Sequence, residues 1–138
     1  MEAKEFLRQY QEALIDIRNL EAEAEELENM AMSITVGTDG ERVQSSSRQD
    51  RMAELATKIA DIELDIMSRR TEALRTLQAV GKVIAAVENK SYRQLLHRRY
   101  IEGNTWERIA VAMQHNYRWI LRMHGRALEK IEEILNRP

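Results

Sequence analysis

Residues 6–31 have the sequence FLRQYQEALIDIRNLEAEAEELENMA, in which apolar side chains recur at alternating steps of four and three residues. The recurring positions are Phe6, Tyr10, Ala13, Ile17, Leu20, Ala24, Leu27 and Ala31. This spacing is the heptad seam of a helix that packs against another helix. Leu7, Leu14 and Met30 widen the apolar stripe beyond a two-stranded seam. The stretch therefore predicts a long first helix whose apolar face needs a partner.

A loop at about residues 33–50 is predicted to reverse the chain. It contains the turn dipeptide Asp39-Gly40 and a run of three serines at 45–47. A short strand pair is the less favoured alternative for the apolar residues Ile34, Val36 and Val43.

A second long helix is expected after this loop, with Asp50 as its N-cap. Its apolar positions again follow three-and-four spacing; they are Met52, Leu55, Ile59, Ile62, Ile66, Ala73, Leu77, Val80, Ile84 and Val87. Neither helix can bury its stripe alone, so the two are expected to form an antiparallel hairpin, to pair with a second copy of the chain, or both. Because the second helix is the longer, its far end would extend beyond the first helix in a simple hairpin. A second copy of the chain would cover that end, so we expect at least a dimer.

The composition favours helices and excludes several classes of protein. The chain has 138 residues, no Cys, five Gly and one Pro, which is the last residue. A β-sandwich, a disulfide framework and a cysteine-based zinc site or nucleophile are therefore not expected. No apolar run approaches the roughly 20 residues of a membrane span, and the N-terminus lacks a signal-peptide pattern. The sequence predicts a cytoplasmic protein with no membrane contact.

The net charge of −2 conceals a change of sign along the chain. Residues 1–32 carry nine acidic and three basic side chains, whereas residues 91–138 carry five acidic and nine basic ones. The acidic end is suited to remain in solvent, and the basic end is suited to bind a polyanion.

Residues 91–138 are predicted to form three shorter helices that make up a separate domain, with residues 1–90 as the oligomerisation region. The expected N-caps are Ser91, Thr105 and Asn116, and the expected helices cover residues 92–102, 106–114 and 117 to about 136. The fold class is therefore all-α: a long helical hairpin or coiled coil followed by a three-helix domain.

Residues 105–128 have the spacing of a helix-turn-helix. Ala110, Met113, Ile120 and Met123 are expected to face a shared core across the tight turn Gln114–Asn116. The outer face of the following helix then carries Arg118, Trp119, Leu121, Arg122, Gly125 and Arg126. Such a helix fits the major groove of duplex DNA, where Arg binds phosphate or guanine.

The stretch Leu95–Ile131, LLHRRYIEGNTWERIAVAMQHNYRWILRMHGRALEKI, resembles region four of sigma factors. The matching positions are Arg99-Tyr100, Glu102-Gly103, Ile109-Ala110, Met113, Asn116, Ile120, Arg126-Ala127 and Leu128. The whole chain, with its loop Val43–Ser46, is similar to small phage and prophage proteins described as sigma-factor-like or late-gene transcription regulators. The resemblance implies a DNA-binding transcription regulator. This chain has Gln114 where the family has a glycine in the turn, and it contains no counterpart of sigma region two.

The hypothesis from the sequence is thus sequence-specific binding of double-stranded DNA by a homodimer. We expect Arg118, Arg122 and Trp119 to contact bases, Thr105, Tyr117 and Arg126 to contact phosphates, and Leu121 to lie on the same face. One alternative is a phage DNA-packaging subunit, similar to a small terminase. The other is a module that docks on RNA polymerase through Trp119 and Leu121.

Enzymatic and metal-binding functions are not expected. The chain contains no Gly-rich phosphate loop, nucleophile elbow or paired-carboxylate motif. His97, His115 and His124 are too far apart in sequence for any two to share a helix face at three- or four-residue spacing, and no Cys assists them. The sequence therefore indicates no catalytic residues, no metal and no cofactor.

Overall fold

The computed structural model describes residues 2–36 and 45–138, and in these residues the protein is all-α, as predicted. The elements are α1 (Ala3–Val36), α2 (Ser45–Ala85), α3 (Lys90–Leu96), a π-helical segment (His97–Ile101), α4 (Trp106–Met113) and α5 (Tyr117–Leu135). Among the described residues, no helix is both long enough and apolar enough to span a membrane.

The two long helices extend further than the sequence predicted. α1 continues to Val36 and α2 begins at Ser45, so the predicted loop at 33–50 is wrong at both ends. Asp50 lies inside α2 and is not its N-cap, and Ile34 is helical, which excludes the strand pair. Asp39-Gly40 and Val43 lie outside the described residues.

The described chain divides into two compact units. Unit 1 comprises the chain up to Leu14 together with Glu72–Pro138, and unit 2 comprises Ile15–Thr71. The sequence placed its domain boundary near residue 90 instead. The difference arises because Leu7 of α1 and Val80 of α2 are fully buried in the same core cluster as the C-terminal helices.

In unit 2, charged side chains join α1 to α2. Arg70 makes an ion pair with Glu21 at 2.7 Å, and Arg69 lies 3.7 Å from Asp16. All four side chains are exposed, so each pair contributes at most about 1 kcal/mol to stability. Four apolar side chains of the same unit are buried: Ile17, Ala24, Leu55 and Ile66.

Polar contacts fasten the start of α1 to the C-terminal helices within unit 1. The backbone N–H of Ala3 donates to Glu132 Oε2 at 2.7 Å. The side-chain amide of Gln11 donates to the carbonyl oxygens of Tyr100 and Ile101, at 3.1 and 3.0 Å. These carbonyls lie where the π-helical segment ends and helical partners run out. The first turns of α1 therefore complete the fold of unit 1.

Candidate nucleic-acid interface

Two side-chain caps and a three-residue turn fix α4 and α5. Thr105 Oγ1 accepts a hydrogen bond from the backbone N–H of Arg108 at 3.2 Å, and Asn116 Oδ1 accepts one from Trp119 at 2.8 Å. Both N-caps agree with the prediction from the sequence. Because each cap satisfies a backbone donor at its helix start, the two ends of the turn are set by local chemistry.

The cap of α3 is not the predicted one. Asn89 Oδ1 accepts from the backbone N–H of Tyr92 at 3.1 Å, so α3 begins at Lys90 and the prediction of Ser91 as its N-cap is wrong. Asn and Ser are comparable caps, and the sequence offers both within three residues. The predicted helix over 92–102 also changes character at His97, where a π-helical segment begins.

Gln114 takes the left-handed conformation that a glycine usually occupies in such a turn. Its φ and ψ are 58° and 42°, and it is the one non-glycine residue with positive φ among the described residues. The backbone N–H of His115 then donates to the carbonyl of Ala110 at 3.0 Å, which closes the end of α4. A side chain in this conformation costs about 1–2 kcal/mol, so the turn is strained but retained.

Replacing Gln114 with Gly is expected to stabilise the protein. The substitution removes the left-handed strain but adds freedom to the unfolded chain, so the expected net gain is about 0.5–1 kcal/mol in the free energy of unfolding. Urea denaturation measures this difference. The matched control is Gln78→Gly at an exposed position inside α2, which is expected to lose about 1 kcal/mol. A loss of stability in Gln114→Gly would contradict the assigned turn geometry.

The inward faces of α4 and α5 meet as the sequence predicted. Ile109 and Ile120 are fully buried, and Ala110 and Met123 are nearly so. Met113 is half-buried and packs against the same core. The small side chain of Ala110 lets the two helices approach closely. This packing determines which side of α5 remains in solvent.

The outward face of α5 carries three arginines, Arg118, Arg122 and Arg126, which we call the arginine ridge. All three side chains are exposed. Within residues 2–36 and 45–138, none of them makes a hydrogen bond or an ion pair. By contrast, Arg93 donates to two backbone carbonyls at 2.7 Å, and Arg99 lies over the ring of Trp106. The ridge is therefore a set of cations without internal partners.

The net positive charge of α5 lies in the half next to the turn. Residues 117–126 contain the ridge and no acidic residue, whereas residues 127–135 contain three glutamates and one lysine. Ten helical residues extend about 15 Å. Helices that enter the major groove place their N-terminal residues against the bases, and that is the part of α5 that carries the ridge.

The other predicted contact residues differ in accessibility. Thr105, Tyr117 and Leu121 are exposed, as expected for contact residues. Trp119 is half-buried, packs against the core and stacks on His115 with ring centroids 3.7 Å apart. The indole expected to contact bases is thus only partly available, because the ring also supports the turn.

A buried aromatic cluster lies behind the ridge, and the sequence did not reveal it. The Tyr100 hydroxyl and His124 Nε2 share a hydrogen bond of 2.7 Å, and the ring of Trp106 lies 4.4 Å from that of His124. Burial, with the positive charges of Lys4, Arg99 and Arg8, lowers the pKa of His124 to about 4. Burial also raises the pKa of Tyr100. His124 is therefore a neutral packing residue at pH 7.

Acid is expected to destabilise the protein through His124. Because its pKa is about 4 in the folded state and about 6.5 when unfolded, protonation favours the unfolded chain. This contribution is constant above about pH 7.5 and decreases stability as the pH falls towards 4, by about 3 kcal/mol in total. Denaturation in urea at pH 7.5 and 4.5 measures the change. His124→Gln is expected to lose less stability than the wild type between these two pH values. His97→Gln, at an exposed site, is expected to lose as much as the wild type. Equal losses in both variants would contradict the assignment.

No protein-family model, curated protein or solved structure matches this chain. Within the described ranges, no group of three His, Cys, Asp or Glu side chains is arranged to hold a metal ion. The features that bear on function are thus the turn at Gln114, the inward packing of α4 and α5, and the arginine ridge.

Proposed function

We propose that this chain is a sequence-specific DNA-binding regulator of transcription, of the phage or prophage type, which acts as a homodimer. The observation that carries the proposal is the arginine ridge: three exposed guanidinium groups without internal partners, on the helix that follows a tight turn. Charged faces are often only solvated, but a helix-turn-helix arrangement behind an unpaired basic face is typical of duplex recognition.

The proposed contacts divide into base and phosphate contacts. With the first half of α5 in the major groove, Arg118 and Arg122 reach base edges, and Arg binds the O6 and N7 atoms of guanine in bidentate fashion. Arg126 and Tyr117 contact phosphates on the flanking backbone. The Thr105 oxygen accepts the N–H of Arg108, which leaves its hydroxyl proton available to donate to a phosphate. Trp119 contributes mainly by holding the turn.

Arg126→Ala is expected to weaken binding to all DNA sequences to a similar extent. A lost phosphate contact removes about one released counterion, so the slope of log K against log salt should become shallower by about 1. Fluorescence anisotropy with a selected site and with a random duplex, from low to moderate salt, measures both quantities. An unchanged slope would assign Arg126 to another role.

The decisive experiment for the proposal begins with capture and sequencing of genomic or phage DNA by the purified protein. Duplexes from the enriched fragments are then titrated at low salt against scrambled duplexes of the same composition. Preference for the enriched sequence is expected, with affinity that decreases steeply as salt is added. Failure to bind any duplex at low salt would refute the proposed function.

A protein-docking function is the second candidate, and one observation favours it. Val111 is 80% exposed on α4, and Leu121 and Tyr117 are also exposed apolar side chains of unit 1. Such residues suit contact with a protein such as RNA polymerase. Docking without DNA contact predicts no binding of duplex at low salt and loss of polymerase binding in Val111→Asp, so the same titration separates the two candidates.

Exposed apolar side chains of unit 2 support self-association. Met32, Leu64 and Met67 are each more than 60% exposed, and Ile15 and Met30 are about half exposed. Sedimentation equilibrium is expected to give a dimer, and Leu64→Glu with Met67→Glu is expected to shift it towards monomer. A monomeric wild-type protein at micromolar concentration would refute this part of the proposal.

A further inference from the structure

Two of the ridge arginines also line a cleft between the start of α3 and α5. The cleft has a volume of about 320 Å³. Its lining residues are Asn89, Ser91, Tyr92, Trp119, Arg122, Met123 and Arg126. Arg122 and Arg126 make no ion pair within the described residues, and no carboxylate lines the cleft. Its walls thus carry positive charge that nothing nearby balances.

Two other cavities of unit 1 differ from the cleft because acidic side chains line them. A cavity of about 290 Å³ beside Gly125 is lined by three glutamates and one lysine. A second, of about 310 Å³ near Ala86, has two glutamates, one lysine and one arginine among its lining residues. Carboxylates there repel an anion or neutralise the adjacent cations. Of these three cavities, the cleft is the one suited to an anion.

The remaining lining of the cleft is suited to an aromatic group. Tyr92 and Trp119 are half-buried there, and Met123 supplies a polarisable thioether. The Asn89 oxygen already accepts the N–H of Tyr92, so its amide hydrogens and the Ser91 hydroxyl remain as donors. The volume lies at the lower end of the range for small-ligand pockets, about 300–1,000 Å³.

We propose that the cleft binds a nucleoside monophosphate, with the phosphate on Arg122 and Arg126 and the base against Tyr92 and Trp119. The nucleotide can be free in solution or an unpaired nucleotide at the end of a DNA strand. One consequence rests on the proposed function: a free nucleotide occupies arginines that duplex DNA needs, so the two ligands compete. Occupancy of the cleft would then regulate DNA binding.

The test titrates the full chain with AMP, adenosine, inorganic phosphate and a single-stranded oligonucleotide, by calorimetry and tryptophan fluorescence. AMP is expected to bind at least about tenfold more tightly than adenosine or phosphate, because only AMP uses both walls of the cleft. Ser91→Phe fills the cleft and Ser91→Glu places a carboxylate beside the arginines. Each is expected to weaken binding of AMP at least about tenfold. Ser68→Phe, at an exposed position on α2, is the matched control and should bind as the wild type does.

The outcomes separate this proposal from the proposed function. If the oligonucleotide binds and AMP does not, and both Ser91 variants lose oligonucleotide binding, the ligand is an unpaired nucleotide at a strand end. Phosphate that binds as tightly as AMP overturns the nucleotide class. Absence of binding by AMP and oligonucleotide, or equal binding in folded Ser91→Glu, overturns the site. If AMP binds but no duplex does, the proposed function fails and the cleft stands. If a duplex binds but neither AMP nor the oligonucleotide does, the cleft alone is refuted.

Discussion

Arg122→Ala is expected to lower affinity for the preferred duplex by about 5- to 100-fold, with a much smaller effect on random duplex. The reason is that Arg122 is exposed in the middle of the arginine ridge and has no partner within the described chain. A bidentate contact to guanine contributes about 1–3 kcal/mol of discrimination. The ratio of the two dissociation constants, measured by anisotropy at one salt concentration, gives the effect on specificity.

The control for this prediction is Arg75→Ala. Arg75 is an exposed arginine of α2 that pairs with Glu72 at 2.9 Å, so its removal changes the net charge by the same amount without touching the ridge. Its affinity for both duplexes is expected to stay close to that of the wild type. Equal losses in the two variants would show that net charge, and not the ridge, determines binding.

Ile120→Ala is expected to reduce the free energy of unfolding by about 2–5 kcal/mol. Ile120 is fully buried where α5 packs against α4, and truncation leaves a cavity that the surrounding side chains cannot fill completely. The loss is a large fraction of the stability of a small domain. Urea denaturation followed by circular dichroism measures it, and DNA binding should fail in proportion to the unfolded fraction.

Leu121→Ala provides a matched comparison at the adjacent position. Leu121 is 37% exposed and points away from the core that buries Ile120, so its truncation is expected to cost at most about 1 kcal/mol. If Leu121→Ala were as destabilising as Ile120→Ala, the assignment of inner and outer faces of α5 would be reversed.

Most of α4 and α5 could be predicted from local sequence, because caps and turns act over a few residues. Thr105 and Asn116 were identified as N-caps, and both accept the expected backbone hydrogen bond. The same approach misassigned α3, where Asn89 and Ser91 are both good caps and local chemistry does not choose between them. It also misplaced the start of α2 at Asp50, since a cap-like residue within a helix has the same appearance in sequence as a cap at its end.

The availability of the ridge depends on distant parts of the chain. Arg70 is an exposed arginine too, yet it pairs at 2.7 Å with Glu21 of α1, about fifty positions earlier. No pattern within α2 identifies that partner. Trp119 was expected to contact bases, and its stack on His115 and packing on the core reduce its exposure. Whether a side chain on a polar face is free or engaged therefore depends on which segments fold next to it.

The amino-acid sequence by itself determined that this protein is all-α, where its last two helices begin, and which side of α5 is basic, because helical periodicity and capping are properties of neighbouring residues. Only the tertiary structure decided that the start of α1 and the end of α2 belong to the same compact unit as the C-terminal helices. It also decided that His124 is buried against Tyr100 and that Arg122 and Arg126 border a cleft without carboxylates. Those features arise from contacts between residues far apart in the chain, and burial and charge balance are set by such contacts.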